Sequence, residues 1–454
     1  MLRMVFAIAQ GGMGAFFYRM APGSVLNRDS ERPARRIPRS TCIARQPTTT
    51  TVTVACDACP TGFTRHRYAP TRQLARHAGF TDLLVTSRIR SRPPVPPTGG
   101  APLPNIEYMR LSVLDQSPIS EGSTGADALR NTIDLAKLAD ELGYHRYWVA
   151  EHHGGPMLAS ASPEALIGPI AAATEGIRVG SGGVMLPHYS PLKVAETFTI
   201  LAGLFPGRID LGLGRAAGTD PLTTFALQRD RRHAAPDDFP QQLAELLAYL
   251  DDSLPEDHPF RHLAGVLPGR PNLPTPWLLG SSPQSAIWAG QLALPYAFAD
   301  FINAEGADIA KLYRERYAPT DAAPAPRTAV AVWALAAPTE DEAIHLSTSS
   351  RMSFTLLRRN QLIAVPPPEK AVEFLEREGK PLTGGRPGRR SIVGSPQKVR
   401  AEIEAVAVEY DAEEVIVVTI TYDHQARRRS YELIAEAFDL EPRAVRTSAP
   451  SSPR

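Results

Sequence analysis

Glu151, His152 and His153 stand in a row behind the aromatic-rich run Tyr147-Trp148-Val149. An imidazole exchanges a proton near neutral pH, so such a run can serve as an acid or a base. Adjacent side chains of an extended chain point to opposite faces. One histidine can therefore face a site at the strand end while the other packs or hydrogen-bonds. Zinc-binding histidine pairs on a helix stand four apart, which argues against a metal here. The chemical reading is one imidazole poised for proton transfer, with Glu151 fixing its tautomer or supporting the backbone. The plain alternative is a surface histidine pair.

Three further runs carry anion- or ring-binding chemistry. Gly180-Ser181-Gly182-Gly183-Val184-Met185 places glycines inside a strand, followed by Pro187, His188, Tyr189 and Pro191. Interior glycines mark close approach of a second backbone or of a flat ligand. Gly207 to Asp220 contains Gly212, Gly214 and Gly218, but their spacing departs from the dinucleotide fingerprint and the first two fall within a strand. Arg215, just past that strand, suits a phosphate or carboxylate, with a salt bridge to Asp220 or Asp210 as its alternative. Gly280-Ser281-Ser282-Pro283-Gln284-Ser285 opens a helix, and free backbone N–H groups with hydroxyls make a phosphate cradle there. A plain serine N-cap would look the same.

These runs need a scaffold that brings strand ends together. From Met109 onward, short β-branched runs alternate with amphipathic segments. Strands are expected at 111–114, 147–150, 177–184, 208–214, 277–280, 296–299, 329–335 and 414–420. Helices are expected between them, the first capped by Ser123 or Thr124 and closed by Gly143, the last running from 424 to 438. Eight strands in this rhythm fit an α/β fold of the (β/α)8 TIM-barrel type, whose sites lie at the C-terminal strand ends. A doubly wound sheet is the alternative. The 338–391 stretch, with Pro366-Pro367-Pro368 and Gly384-Gly385, reads as a long insertion before the last strand. Its 379–391 loop is a candidate lid.

The 454 residues are 43% hydrophobic with a net charge of +1, a composition that excludes a largely disordered or fibrous chain. The charge is unevenly divided. Residues 1–104 hold 15 Arg and no Lys against Asp29, Glu31, Asp57 and Asp82, a net +11, leaving −10 for the rest. An acidic main body gives no reason to expect nucleic-acid binding. Residues 1–108 also carry twelve prolines and no sustained hydrophobic period, so they read as a poorly ordered basic arm. The natural start is expected at Met109, the barrel at 109–445 and a disordered tail at 446–454. Cys42, Cys56 and Cys59 all lie in the arm, so the body offers no disulfide and no catalytic thiol, which fits a cytoplasmic protein. The Cys56-x-x-Cys59 spacing lacks a convincing set of four zinc ligands. The longest apolar run, Ala329 to Ala337, is too short to span a bilayer.

The order Trp148-Val-Ala-Glu-His-His153, Leu186-Pro187 with Pro191 and Ala195-Glu196, Gly207-Arg208 to Arg215, then Ser282 to Trp288 resembles the bacterial luciferase-like flavin-dependent monooxygenases. The likeness runs from Met109 to about Phe438 and is nearest to the non-luminescent members. It implies a TIM barrel that binds reduced FMN and uses O2 to oxygenate a small organic substrate such as an aldehyde. It also implies a separate NAD(P)H-dependent flavin reductase and a homodimer. By the same resemblance His152 is the catalytic base with Glu151 beside it. Arg215, Ser282 and Ser285 hold the flavin phosphate; from the runs themselves Ser281, Gly182 and Met185 are added as cofactor-binding candidates and His153, His188 and Tyr189 as substrate-facing candidates. Two positions depart from the pattern. Gly214 stands where luciferase has a reactive cysteine, and Gly154-Gly155-Pro156-Met157 replaces an Asn-containing loop. The same superfamily includes hydride-transfer enzymes using the deazaflavin F420, and a non-catalytic flavin-binding protein is a third reading.

Overall fold

The computed structural model describes residues 109–215, 219–228, 231–232, 237–383 and 389–443. The expectations for the basic arm, its cysteines and the tail at 446–454 lie outside the described residues. Eight parallel strands close into a barrel: β1 (Arg110–Asp115), β2 (Arg146–Val149), β3 (Arg178–Met185), β4 (Ile209–Gly214), β5 (Thr275–Gly280), β6 (Tyr296–Ala299), β7 (Thr328–Ala336) and, last in the chain, β9 (Glu414–Val418). They pair in sequence order from β1 to β7, and β9 fills the seam between β7 and β1. All eight strands match those expected to within a few residues, and the barrel prevails over the doubly wound sheet.

The sheet separates two cores. Leu111, Val113, Tyr147 and Val149 face outward into the layer beneath the helices. Leu114, Trp148, Trp277, Ala329 and Ile416 face the lumen. The N-terminal end of the lumen is plugged by charge. Arg146 Nε and Nη2 donate to Glu414 at 2.5 and 2.9 Å, its Nη1 donates to Asp210 at 2.6 Å, and Ser112 donates to Glu414 at 2.6 Å. Burial alone would raise the Glu414 pKa, but Arg146 brings it below the ordinary value. Above this layer Trp148 and Trp277 meet edge to face at 5.3 Å.

The first helix, α1 (Gly125–Glu141), begins as its sequence requires, with a capping box between Thr124 and Asp127. Gly143 follows its end with φ +88°, a conformation only glycine adopts without strain. The remaining helices on the described path to β5 include α2 (Pro163–Ala173), α3 (Pro191–Leu204), α4 (Pro221–Leu227), α5 (Phe239–Leu250) and α6 (Arg261–Ala264). Beyond β5 come α7 (Pro283–Gln291) and α8 (Ala307–Glu315).

The 338–391 stretch is the expected insertion before the last barrel strand, and much of it is helical where loops were expected. It holds α9 (Glu340–Leu357) and α10 (Pro368–Arg377), and leads to a short added strand, β8 (Ile392–Gly394), on the end of β7. The signal for α9 was present: Thr339 caps it, and Glu340, Asp341 and Glu342 fill the first turn, where acids favour a helix start. The Ser/Thr-rich body of α9 masked its periodicity. Residues 384–388 lie outside the described residues; on their flanks Arg351 Nη2 donates to Pro381 O at 2.6 Å and Arg390 Nε donates to Asp300 at 3.3 Å. The chain closes with α11 (Pro396–Tyr410) before β9 and α12 (His424–Ala437) after it. No helix among the described residues is long and apolar enough to cross a membrane.

Candidate active site

At the C-terminal mouth of the barrel lies a cavity of about 450 Å³. Its walls are mostly apolar, including Leu114, Trp148, Phe239, Leu279, Trp288 and Phe301. A small set of polar groups interrupts them: Gln116, His152, Arg215, Ser281, Ser282 and Ser285. An apolar cleft with a few convergent polar groups is the usual form of a cofactor or substrate site.

Strand parity delivers His152. Trp148 and Ala150 face the lumen, and His152 continues that face into the cavity. Its backbone N–H donates to Ser160 O at 2.8 Å, while its Nδ1 is buried without a hydrogen-bond partner. Burial, reinforced by the neighbouring His153, lowers the imidazole pKa to about 4. The ring is therefore neutral at physiological pH and a weaker base than the near-neutral imidazole expected from the sequence.

Glu151 takes the opposite face, is fully buried, and does not fix His152. Its Oε1 pairs with His153 Nε2 at 2.8 Å, and its Oε2 accepts from the backbone N–H of Met185 at 2.8 Å. The carboxylate is thus a strut joining the exits of β2 and β3. Burial raises its pKa, an effect opposed by His153 and the Met185 N–H. His153 meets His188 edge to face at 5.8 Å. Tyr189 sits near the same strut, its hydroxyl pKa raised by burial and by the Glu151 carboxylate. None of His153, His188 and Tyr189 is on the cavity wall. His153 turns away from the cavity because it follows the inward-facing His152, and His188 and Tyr189 lie in the turn after β3, grouped around the Glu151 strut.

The glycines of β3 and β4 meet the close-approach reading. A Cβ on Gly212 would stand 2.1 Å from Ser181 O, and one on Gly183 would stand 2.8 Å from Gly212 O, so β3 and β4 approach too closely for side chains. Gly182 and Gly183 also line the cavity, with Met185 and Gly214 beside them. A Cβ on Gly182 would stand 2.5 Å from Leu114 Cδ1, so that position is packed against the inner face of β1.

Opposite β1 and β2, the start of α7 and Arg215 line the same cavity. Ser282 caps α7 and Ser285 Oγ shares a hydrogen bond with the Tyr296 hydroxyl at 2.9 Å. Arg215 lies over Trp288 of α7 at 5.8 Å and pairs with Asp237. Neither alternative acid is its partner: Asp210 is held by Arg146 and Arg178 inside the barrel, and Asp220 caps α4. Arg215 and Asp237 are both about half exposed or more. Such a pair contributes little, so Arg215 can exchange it for an incoming anion at small cost. The sequence reading missed Gln116, Phe239 and Phe301, since nothing in their spacing marks them. The described part of 338–391 contributes nothing to the cavity wall.

Residues 109–412 match the luciferase-like monooxygenase family. The chain belongs to that family. It is 46% identical over 334 residues to the uncharacterized protein YwcH of Bacillus subtilis, covering 72% of this chain and 98% of that one. Similarity to the N-acetyl-S-alkylcysteine monooxygenase of the same organism is 37% over 334 residues, with coverages of 72% and 98%. The crystal structure of apo-MsnO8 superposes with a TM-score of 0.67 at 42% identity, covering 75% of this chain and all of that one. At the level of fold alone, the luciferase-like barrel is shared with two more distant structures. One is the oxygenating constituent of a Pseudomonas putida 3,6-diketocamphane monooxygenase in complex with FMN, at TM-score 0.54 and 19% identity. The other is an F420-dependent secondary alcohol dehydrogenase, at 0.51 and 15%.

Proposed function

We propose that this luciferase-like protein is a flavin-dependent monooxygenase that takes reduced FMN and O2 and oxygenates a small organic substrate, an aldehyde being one example. The observation that carries the reading is convergence. Arg215 and the hydroxyls at the start of α7 stand on one side of a single cavity, and His152 stands on the other. The residues fit a flavin mononucleotide. The helix start and Arg215 suit a phosphate, the largely apolar wall that includes Gly182, Gly183 and Met185 suits a planar ring, and the buried, unpartnered His152 Nδ1 awaits a polar atom. When bound, the flavin supplies the oxygen chemistry. The chain holds the phosphate through Arg215, Ser281, Ser282 and Ser285, excludes water with its apolar walls, and moves a proton at His152. Glu151 acts at one remove, by keeping the exits of β2 and β3 together.

Two partners follow from this reading: an NAD(P)H-dependent flavin reductase that provides the reduced cofactor, and a second copy of the chain. Ile200 and Leu204 of α3 are 44% and 67% exposed and offer apolar surface for that second copy. Anaerobic titration with reduced FMN and reduced F420 in parallel tests the cofactor. Tighter binding of FMN is expected. Tight F420 binding with none of FMN would replace the monooxygenase reading by hydride transfer, and binding of either without turnover of any substrate would leave a flavin-binding protein.

A further inference from the structure

Gln116 follows β1 and is 5% exposed, with a side chain on the cavity wall and its Oε1 buried without a hydrogen-bond partner. Burying a carboxamide oxygen unpaired is costly, and the loss is recovered when a ligand supplies the missing donor. The chain also spends strain to put it there. The next residue, Ser117, has φ +50°, which a residue with a Cβ rarely adopts.

That turn is pinned on every side. Asp115 Oδ1 accepts from the Ser117 N–H at 2.7 Å and from Arg427 at 2.5 Å, and Tyr147 donates to Asp115 Oδ2 at 2.5 Å. The Ser117 and Thr132 hydroxyls lie 2.7 Å apart. Ser117 O accepts from the Ala159 N–H at 2.9 Å, tying this loop to the one that follows His152. All these bonds engage the neighbours of Gln116, and none engages its side chain.

In a closed eight-stranded barrel paired in this order, β1 and β5 are four strands apart and face each other across the mouth. The anion cradle is at the ends of β4 and β5, so a ligand anchored there by its phosphate presents its far, uncharged end to β1 and β2. Resting on the flavin reading above, we propose that Gln116 is a cofactor-binding residue whose carboxamide holds the imide edge of the flavin ring. A carboxamide offers one acceptor and two donors. An imide edge carries an N–H flanked by carbonyl oxygens, and so complements it in both directions.

The test is an equilibrium titration of the full-length protein with oxidised FMN and with N3-methyl-FMN, read by flavin fluorescence. The parent is expected to bind FMN about tenfold more tightly than the methylated form, the scale of one lost buried hydrogen bond. In Gln116→Leu and Gln116→Met the two affinities are expected to converge, with Tm no lower than the parent's because an unpaired buried amide oxygen has been removed. Equal affinities in the parent, a ratio that persists in both variants, or a lowered Tm in both would overturn the assignment. A parent that binds no flavin at all would overturn the cofactor reading itself, and a parent that binds FMN with an unchanged ratio would leave that reading standing.

Discussion

At the scale of single residues, His152 and Arg215 are expected to fail in different ways. His152→Ala removes the proton acceptor but no phosphate contact, so turnover should fall by about 10²–10⁴-fold with flavin affinity nearly kept. Arg215→Ala removes a charge-assisted contact and should weaken flavin binding by roughly tenfold to a hundredfold. Equal flavin affinity in Arg215→Ala and the parent would take Arg215 out of the phosphate site. Burial also sets a pH dependence. His145 and His152 both have pKa values lowered to about 4. Between their ordinary value near 6.5 and that value the unfolded chain binds more protons than the folded one, so their neutral forms favour folding at high pH. Stability should therefore decline as pH falls from 6.5 toward 4, and His152→Gln should flatten part of that decline in a melting series. An unchanged slope would show that His152 does not stay neutral in the folded protein.

At the scale of elements, the charged plug joins β1, β2, β3, β4 and β9 at the bottom of the barrel. Arg146 and Glu414 are both buried, and Arg146 also faces the Trp277 ring at 4.6 Å. Removing one partner strands the other, so Glu414→Ala should lower stability by about 3–5 kcal/mol in chemical denaturation, well beyond a surface change. A loss under 1 kcal/mol would mean that Arg146 finds other partners or water. The same layer explains why the sequence displays its strands so plainly. Buried on both faces, they read as short apolar runs interrupted by glycines and by the charges that enter the lumen. Helices such as α9 and α11 escaped notice because they pack a modest face and carry polar residues elsewhere. Even so, Thr339 and the Ser395-Pro396 pair announce their starts.

At the scale of the whole molecule, every barrel strand falls between residues 110 and 418, and the seam is sealed by β1 against β9. A chain beginning at Met109 is accordingly expected to melt within a few degrees of the full-length protein, by an estimate on the usual scale of about 1 kcal/mol, and to keep its flavin affinity. Loss of folding or of binding in that variant would give the upstream residues a part in the barrel. The sequence alone determined the barrel, because period and strand composition are local properties of the chain, and it determined the short list of chemically able residues. Only the tertiary structure decided which of them meet. Strand parity sends His152 inward and binds Glu151 to His153 instead. Barrel closure sets the ends of β1 and β2 across from those of β4 and β5, and so gathers Gln116, His152 and Arg215 around one cavity from positions up to 99 residues apart along the chain. Convergence of that kind depends on pairing between distant strands, which no local pattern records.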